Sequence, residues 1–310
     1  MAVEIQGHRL TGQVPNGHAS GSHAPGGHAA GGQVPAPGWS ARLALDLERM
    51  QRRTVVANRR HFGPLCIQKP FQAEDGSCHV YVLHPPGGLA GGDDVELRVR
   101  VGTDAAALVT MPASTKFYRT AGAASRLVNR LSVAAGGALE WLPPETILFG
   151  GSHAQLCTEI RLDSTAAFIG WEAIVLGRPS SGDRFAVGVF EQRLELYVDD
   201  RPVLLERFAA GAGDAALAAP WGLDDEANSA SLIAYPADED VLTAVREALA
   251  EAAHPRDACR AGASLVDSVL VVRGLAPKTA ALRRRLEAAW RALAPPLLGR
   301  PALSPRIWNT

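Results

Sequence analysis

The sequence lacks most of the features that announce an enzyme, a membrane protein or a nucleic-acid binder. Cysteine is scarce: Cys66, Cys78, Cys157 and Cys259 are the only four in 310 residues, and none forms a C-x-x-C pair. That scatter argues against a disulfide framework, which a chain of this size does not need. Reduced thiols are expected, with Cys78, beside His79, the best candidate for a metal-binding one. Aromatic residues are 6% of the chain and the net charge is −1. No basic stripe with interleaved aromatics is present, so nucleic acid is not an expected partner. No segment approaches ~18 uninterrupted apolar residues, so no membrane-crossing helix is expected. The first thirty residues carry no basic start followed by an apolar run, so no secretory signal is read there. The expected location is the cytoplasm.

The catalytic signatures are missing too. A nucleotide-hydrolysing loop must end in Lys and Ser or Thr to hold phosphates and magnesium. The glycines of "GGLAGGDD" are followed instead by Asp93 and Asp94, which would repel a phosphate. Pro85-Pro86-Gly87-Gly88 reads as a tight turn between strands. "GGSHA" at Gly150 lacks the last glycine of a nucleophile elbow. Ser152 and His153 are adjacent, so on a strand they point to opposite faces and do not pair. There is no H-E-x-x-H.

What is present is a chain 47% hydrophobic and 20% charged, ample for a buried core. Residues 1–38 stand apart. They are rich in Gly, Ala, Pro and His and almost empty of large apolar side chains, which predicts a disordered tail. His18, His23 and His28 recur there every five residues. Three imidazoles on a floppy chain could collect nickel, copper or zinc weakly, and a low-complexity spacer is the plainer reading. Residues 39–310 are expected to form a single β-rich domain.

Period-two alternation dominates from Ala41 onward. In "DDVELRVRV", Val95, Leu97, Val99 and Val101 share one face and Glu96, Arg98 and Arg100 the other. Leu127, Asn129, Leu131 and Val133 share a face in "RLVNRLSV", as do Leu156, Thr158, Ile160 and Leu162 in "QLCTEIRL". Asp199-Asp200 predicts a hairpin turn. Frequent turn signals with no helix-length segment between them predict a mainly antiparallel all-β body. Helical spacing appears near the C-terminus. Val241, Val245 and Leu249 mark one helix over 239–253, closed by His254-Pro255. Leu282, Leu286, Trp290 and Leu293 mark a second, with Pro277 in its first turn and Pro295-Pro296 ending it. "SLVDSVLVVRG" between them reads as one buried strand.

Candidate metal-binding residues are loosely spread. His79 and His84 are five apart, as are Glu140 and Glu145, and an odd spacing on a strand puts each pair on opposite faces. With His153 and Cys78 they lie at strand ends near Gly/Pro bends. Such a scatter suits weak passage of a cation better than a closed four-ligand site. Lys116, Tyr118 and Arg119 in "STKFYRT" read as a cation and an aromatic at a turn, solvated or in an interface.

Three blocks, "HVYVLHPPGGLAGGDD", "TMPASTKFYRT" and "LEWLPPETILFGG", occur in that order. With "GPLCIQKPF", "FIGWEAIVLGRPSSGDRF", "LLERF" and the closing "PRIWNT", they resemble the urease accessory proteins of the UreD (UreH) family. The resemblance covers most of residues 45–310 and omits 210–260 and the tail. It implies a β-helix-like or layered body of many short strands with two α-helices near the C-terminus. It implies a non-enzymatic scaffold that binds urease apoprotein and recruits UreF, and through it the GTPase UreG. Nickel would be cargo in transit, GTP would be bound by the partner, and no intrinsic cofactor is implied. The matching positions are His84, Glu140, Glu145, Trp171, Glu172, Gly177 and Arg178. Of these, Glu140, Glu145 and Glu172 would contact the cation in passage, with His79 and His84 as weak contacts. Glu172 has a simpler alternative as the internal partner of Arg178. The competing readings are a β-rich metal-dependent hydrolase using the same His/Glu scatter, and a purely structural interaction module.

Overall fold

The computed structural model describes residues 38–309. The expected tail, with His18, His23 and His28, lies outside the described residues apart from Gly38. The strands and helices run β1 (Ser40–Met50), β2 (Arg53–Phe62), β3 (Cys66–Ile67), β4 (Phe71–Gln72), β5 (Cys78–Leu83), β6 (Asp94–Val101), β7 (Ala106–Thr110), β8 (Thr115–Phe117), β9 (Ser125–Val133), β10 (Ala138–Trp141), β11 (Thr146–Leu148), β12 (His153–Leu162), β13 (Ala167–Leu176), β14 (Val189–Val198), β15 (Arg201–Gly211), α1 (Ala215–Ala218), β16 (Asn228–Tyr235), α2 (Glu239–Glu251), β17 (Arg260–Val266), β18 (Val269–Ala276) and α3 (Thr279–Leu298).

Two sheets stack face to face. The first has the order β15-β14-β12-β9-β6-β1-β2 and the second follows β17-β18-β16-β13-β10-β7-β5-β3. Through the middle of the chain the long strands alternate between the two sheets. The chain passes from β6 to β7, from β9 to β10 and from β12 to β13, each time through a corner of a few residues. Each circuit lays its strand parallel to that of the circuit before: β6 on β9, β9 on β12 and β12 on β14 in one sheet, β5 on β7, β7 on β10 and β10 on β13 in the other. The corners stack as well. Ala134 N donates to Val101 O (2.9 Å), and Asp163 N to Val133 O (3.0 Å). This is a solenoid of stacked coils, with antiparallel strands closing its ends.

The expectation of a mainly β body with two C-terminal helices holds, but a mainly antiparallel one does not. The signals that predict a hairpin, alternation followed by a Gly or Asp bend, are equally those of a coil corner that sends the chain to the other sheet. Asp199-Asp200 is a true two-residue hairpin turn, with φ of +47° and +59°. The buried strand read over 264–274 is instead part of a second hairpin, β17–β18, which turns at Asp267 (φ +51°). Pro277 precedes α3 rather than opening it, and Pro295 and Pro296 lie inside its last turn. The proline ring fits helical φ, and the stop is Gly299 at φ +66°, whose N–H reaches Pro295 O.

Two apolar cores result. One lies between the sheets, where Val95, Leu97, Leu131, Leu139, Trp141 and Phe168 are fully buried. The other lies outside the second sheet, where Ile169 and Trp171 meet Leu286 and Trp290 of α3 and Val245 of α2. The second sheet is therefore covered on both faces, as its long apolar runs require. Among the described residues, no helix is long and apolar enough to cross a membrane.

Candidate functional site

Because strand side chains alternate, Glu140 on β10 and Glu172 on β13 leave the second sheet on opposite faces. Glu172 follows the parity of Phe168 and Ile174 and points between the sheets. Glu140 follows that of Leu142 and points outward, under α3.

Glu172 sits in a row of neutral polar groups. Thr158 Oγ1 donates to Glu172 Oε1, and Gln192 Nε2 donates to Oε2 at 3.0 Å. Asn129 Nδ2 donates to Thr158 Oγ1 at 3.0 Å. Burial pushes the Glu172 carboxyl above its usual range, and the two hydrogen bonds only partly oppose this. A space of about 20 Å³ lies beside it, walled by Asn129, Trp141, Thr146, Gln192 and neighbours. That is room for about one water. Two fully enclosed polar atoms in its wall, Asn129 Oδ1 and Trp141 Nε1, have no hydrogen-bond partner. One is an acceptor and the other a donor, as a guest between them would need. A wall formed by Met111, Thr115, Leu127 and Asn129 separates this space from a cavity of about 310 Å³. His84 lines that cavity, which is otherwise mostly apolar. Burial lowers the His84 pKa, leaving a neutral imidazole at neutral pH, the form that binds metal ions.

Glu140 has a different company. Arg300 Nη2 donates to its Oε2, and Trp290 Nε1 donates to Oε1 at 2.7 Å. Arg300 Nη1 also lies 2.9 Å from Asp75 Oδ2. All three ionic side chains are buried or nearly so: Glu140 at 0% exposure, Arg300 at 11% and Asp75 at 13%. Burial pushes Glu140 up while the guanidinium opposes it. Burial acts on Asp75 as well, but hydrogen bonds from the Ser77 hydroxyl and amide and the Arg300 charge hold it below the usual range. His79 pairs with Leu108 in the register that joins Leu108 to Glu140, so it lies on the same outer face. Burial lowers its pKa to about 4 against the pull of Asp75. Its ring meets Phe71 edge-on at 5.9 Å.

The candidate residues thus divide. His84 and Glu172 are on the intersheet side, and Glu140 and His79 are behind the sheet. Glu145 is between, accepting from Ser114 Oγ at 2.7 Å, with Ser114 in the wall of the larger cavity. Among the described residues, no three His, Cys, Asp or Glu side chains gather to hold a metal ion. Cys78 is buried, and burial raises its thiol to about 11. Arg178 is not the partner of Glu172: it pairs with Asp183 at 3.5 Å and lies over the Phe149 ring. Gly177 is forced by that turn, since its φ is +71° and a Cβ there would stand 2.4 Å from Asp183 O. Asp93 and Asp94 serve structure, the first accepting from Trp39 N and Ala90 N and the second pairing with Arg42. His153 Nδ1 faces Gly122 O, not Ser152. Lys116 and Arg119 reach the backbone oxygens of Ser114 and Gly150.

The sequence reading missed Asn129, Thr158 and Gln192 as functional groups, together with Asp75, Trp290 and Arg300. For Asn129 and Thr158 a signal existed. Each is a polar residue at an apolar-face position of its strand, where an unpaired group is costly.

Comparison with known proteins agrees over the whole described body. The family model for the UreD urease accessory protein matches residues 40–309. A urease accessory protein UreD of Alkalilimnicola ehrlichii is 44% identical over 276 residues, covering 89% of this chain and 93% of its own. One from Pseudomonas putida strain W619 is 42% identical, covering 88% and 95%. One from Klebsiella aerogenes is 38% identical, covering 88% and 97%. These matches, over nearly the whole described chain, place it in the UreD family of urease accessory proteins.

Proposed function

We propose that this chain is a non-catalytic scaffold of urease maturation that passes nickel between its sheets to urease apoprotein. UreF docks on it, and UreG, the GTPase, delivers the ion through UreF. The route enters at the cavity beside His84, passes the Met111–Asn129 wall and reaches Glu172. The observation that carries this reading is the setting of Glu172: a carboxylate whose partners are a hydroxyl and an amide, next to a space with an unpaired Asn129 oxygen. A half-buried carboxylate left without a cation is costly, and the arrangement is useful where a cation arrives. Hard oxygen ligands in small number hold a divalent ion weakly enough to release it. Glu145 serves at the rim through Ser114, whereas Glu140 and His79 support the fold. His18, His23 and His28 would add weak nickel capture upstream.

The test is nickel content, by elemental analysis, of urease apoprotein activated with the full set of accessory proteins and either the parent chain or Glu172→Gln. The expected result is an assembled complex with several-fold less nickel per urease. A full nickel complement with the variant would overturn the route. The hydrolase reading has no supporting observation, since the His/Glu scatter does not converge.

A further inference from the structure

The polar row continues past Glu172. In the second sheet, Ser231 on β16 is the cross-strand neighbour of Glu172, and Arg273 on β18 is that of Ser231. In the first sheet, Leu194 on β14 pairs with Glu206 on β15, the last strand. The two sheets join here. Arg273 Nη2 donates to Glu206 Oε1, and Arg273 Nη1 donates to Ser231 Oγ at 3.1 Å.

The pair is lopsided. The Glu206 side chain is 19% exposed and that of Arg273 60%. A carboxylate sunk at the end of the seam is thus neutralised by a guanidinium reaching in from solvent. The Glu206 charge is felt at Glu172, so the two carboxylates are electrostatic neighbours. The unpaired Asn129 Oδ1, on a side chain only 6% exposed, faces the same seam on the other side of Glu172. From Asn129 to Glu206 the polar side chains follow one another across neighbouring strands, and at the outer end the Arg273 guanidinium holds Glu206.

We propose that Glu206 is the carboxylate station beyond Glu172, and that Arg273 occupies the place of a divalent cation, closing that end of the seam until it swings into solvent. This rests on the reading of the seam as the nickel route. A half-exposed ion pair is weak and screened by salt, and a long flexible arm leaves without disturbing the strands. A dication competes well for the same carboxylate because it brings twice the charge.

The experiment is calorimetric titration of the full chain with Ni²⁺ alone, on a background with His18, His23 and His28 changed to alanine. Arg273→Gln is expected to bind one Ni²⁺ at least tenfold more tightly than its parent. Arg273→Lys is expected to return to the parent affinity. Adding Glu206→Gln to Arg273→Gln is expected to abolish the gain. Unchanged affinity in a folded Arg273→Gln chain, or a gain that survives Glu206→Gln, would overturn the proposal. The route itself is judged separately by urease nickel content with Glu172→Gln, so the two failures are distinguishable.

Discussion

Glu140 on β10 and Glu172 on β13 lie on adjacent strands of one sheet, one pointing out beneath α3 and the other in between the sheets. Both carboxyls are pushed up by burial. Glu140 is met by a guanidinium and an indole N–H, and Arg300 carries the chain onward from α3. Glu172 is met by neutral donors, with a water-sized space at its side. A buried carboxylate that already holds a cation fixes structure. One given only neutral partners has the setting that the proposed passage of a cation requires.

The largest expected effect breaks the first of these sites. Arg300→Ala strands Glu140 and Asp75 without their shared cation. Removing one partner of a buried pair costs ~3–5 kcal/mol. The midpoint of denaturant unfolding should fall accordingly, while nickel binding per folded chain stays at its parent value. A loss below ~1 kcal/mol would mean that the Arg300 cluster is no more structural than the Glu172 row.

The contrast was only half legible in the sequence. The strand faces were readable because alternation is a local property: Leu127, Leu131, Leu156 and Ile160 are all buried as expected. The stacking of coils was not, since parallel neighbours such as Leu97 and Asn129 are far apart along the chain and no periodicity links them. For the same reason the surroundings of Glu140 are not legible in the sequence. Nothing near it in sequence announces Trp290 or Arg300, which the last helix brings from the other end of the chain. The family pattern singles out Glu172, but Arg178 is not its partner, because the turn at Gly177 sends that side chain to Asp183.

A second break is set by pH. His79 shares the outer face with Glu140, and its pKa is lowered to about 4. In the unfolded chain an ordinary histidine takes up its proton near 6.5. Between those values the unfolded state binds the proton and the folded state does not, so stability falls as pH drops from about 6.5 towards 4. His79→Gln should flatten that part of the stability–pH curve, by up to a few kcal/mol at its lower end. An unchanged acid slope would show that His79 is protonated in the fold, in contact with Asp75.

The smallest expected effect on stability, at the other site, is the most discriminating. Glu172→Gln keeps an acceptor for Thr158, and Gln192 can turn its amide to suit, so unfolding at pH 7 should stay within ~1 kcal/mol of the parent. The sign of its pH dependence is fixed by the raised carboxyl. A group whose folded pKa lies above its unfolded one stabilises fully at low pH and loses that contribution as pH rises through the folded value. The parent should therefore lose stability relative to Glu172→Gln on going from acid to neutral pH, the opposite direction to the His79 effect. On the proposed route, nickel transfer should run against that stability, because only the ionised carboxylate takes a cation and it forms above the raised pKa. A chain that unfolded several kcal/mol more easily with Gln at 172 would make Glu172 a structural partner like Glu140 and erase the difference between the two faces of the sheet.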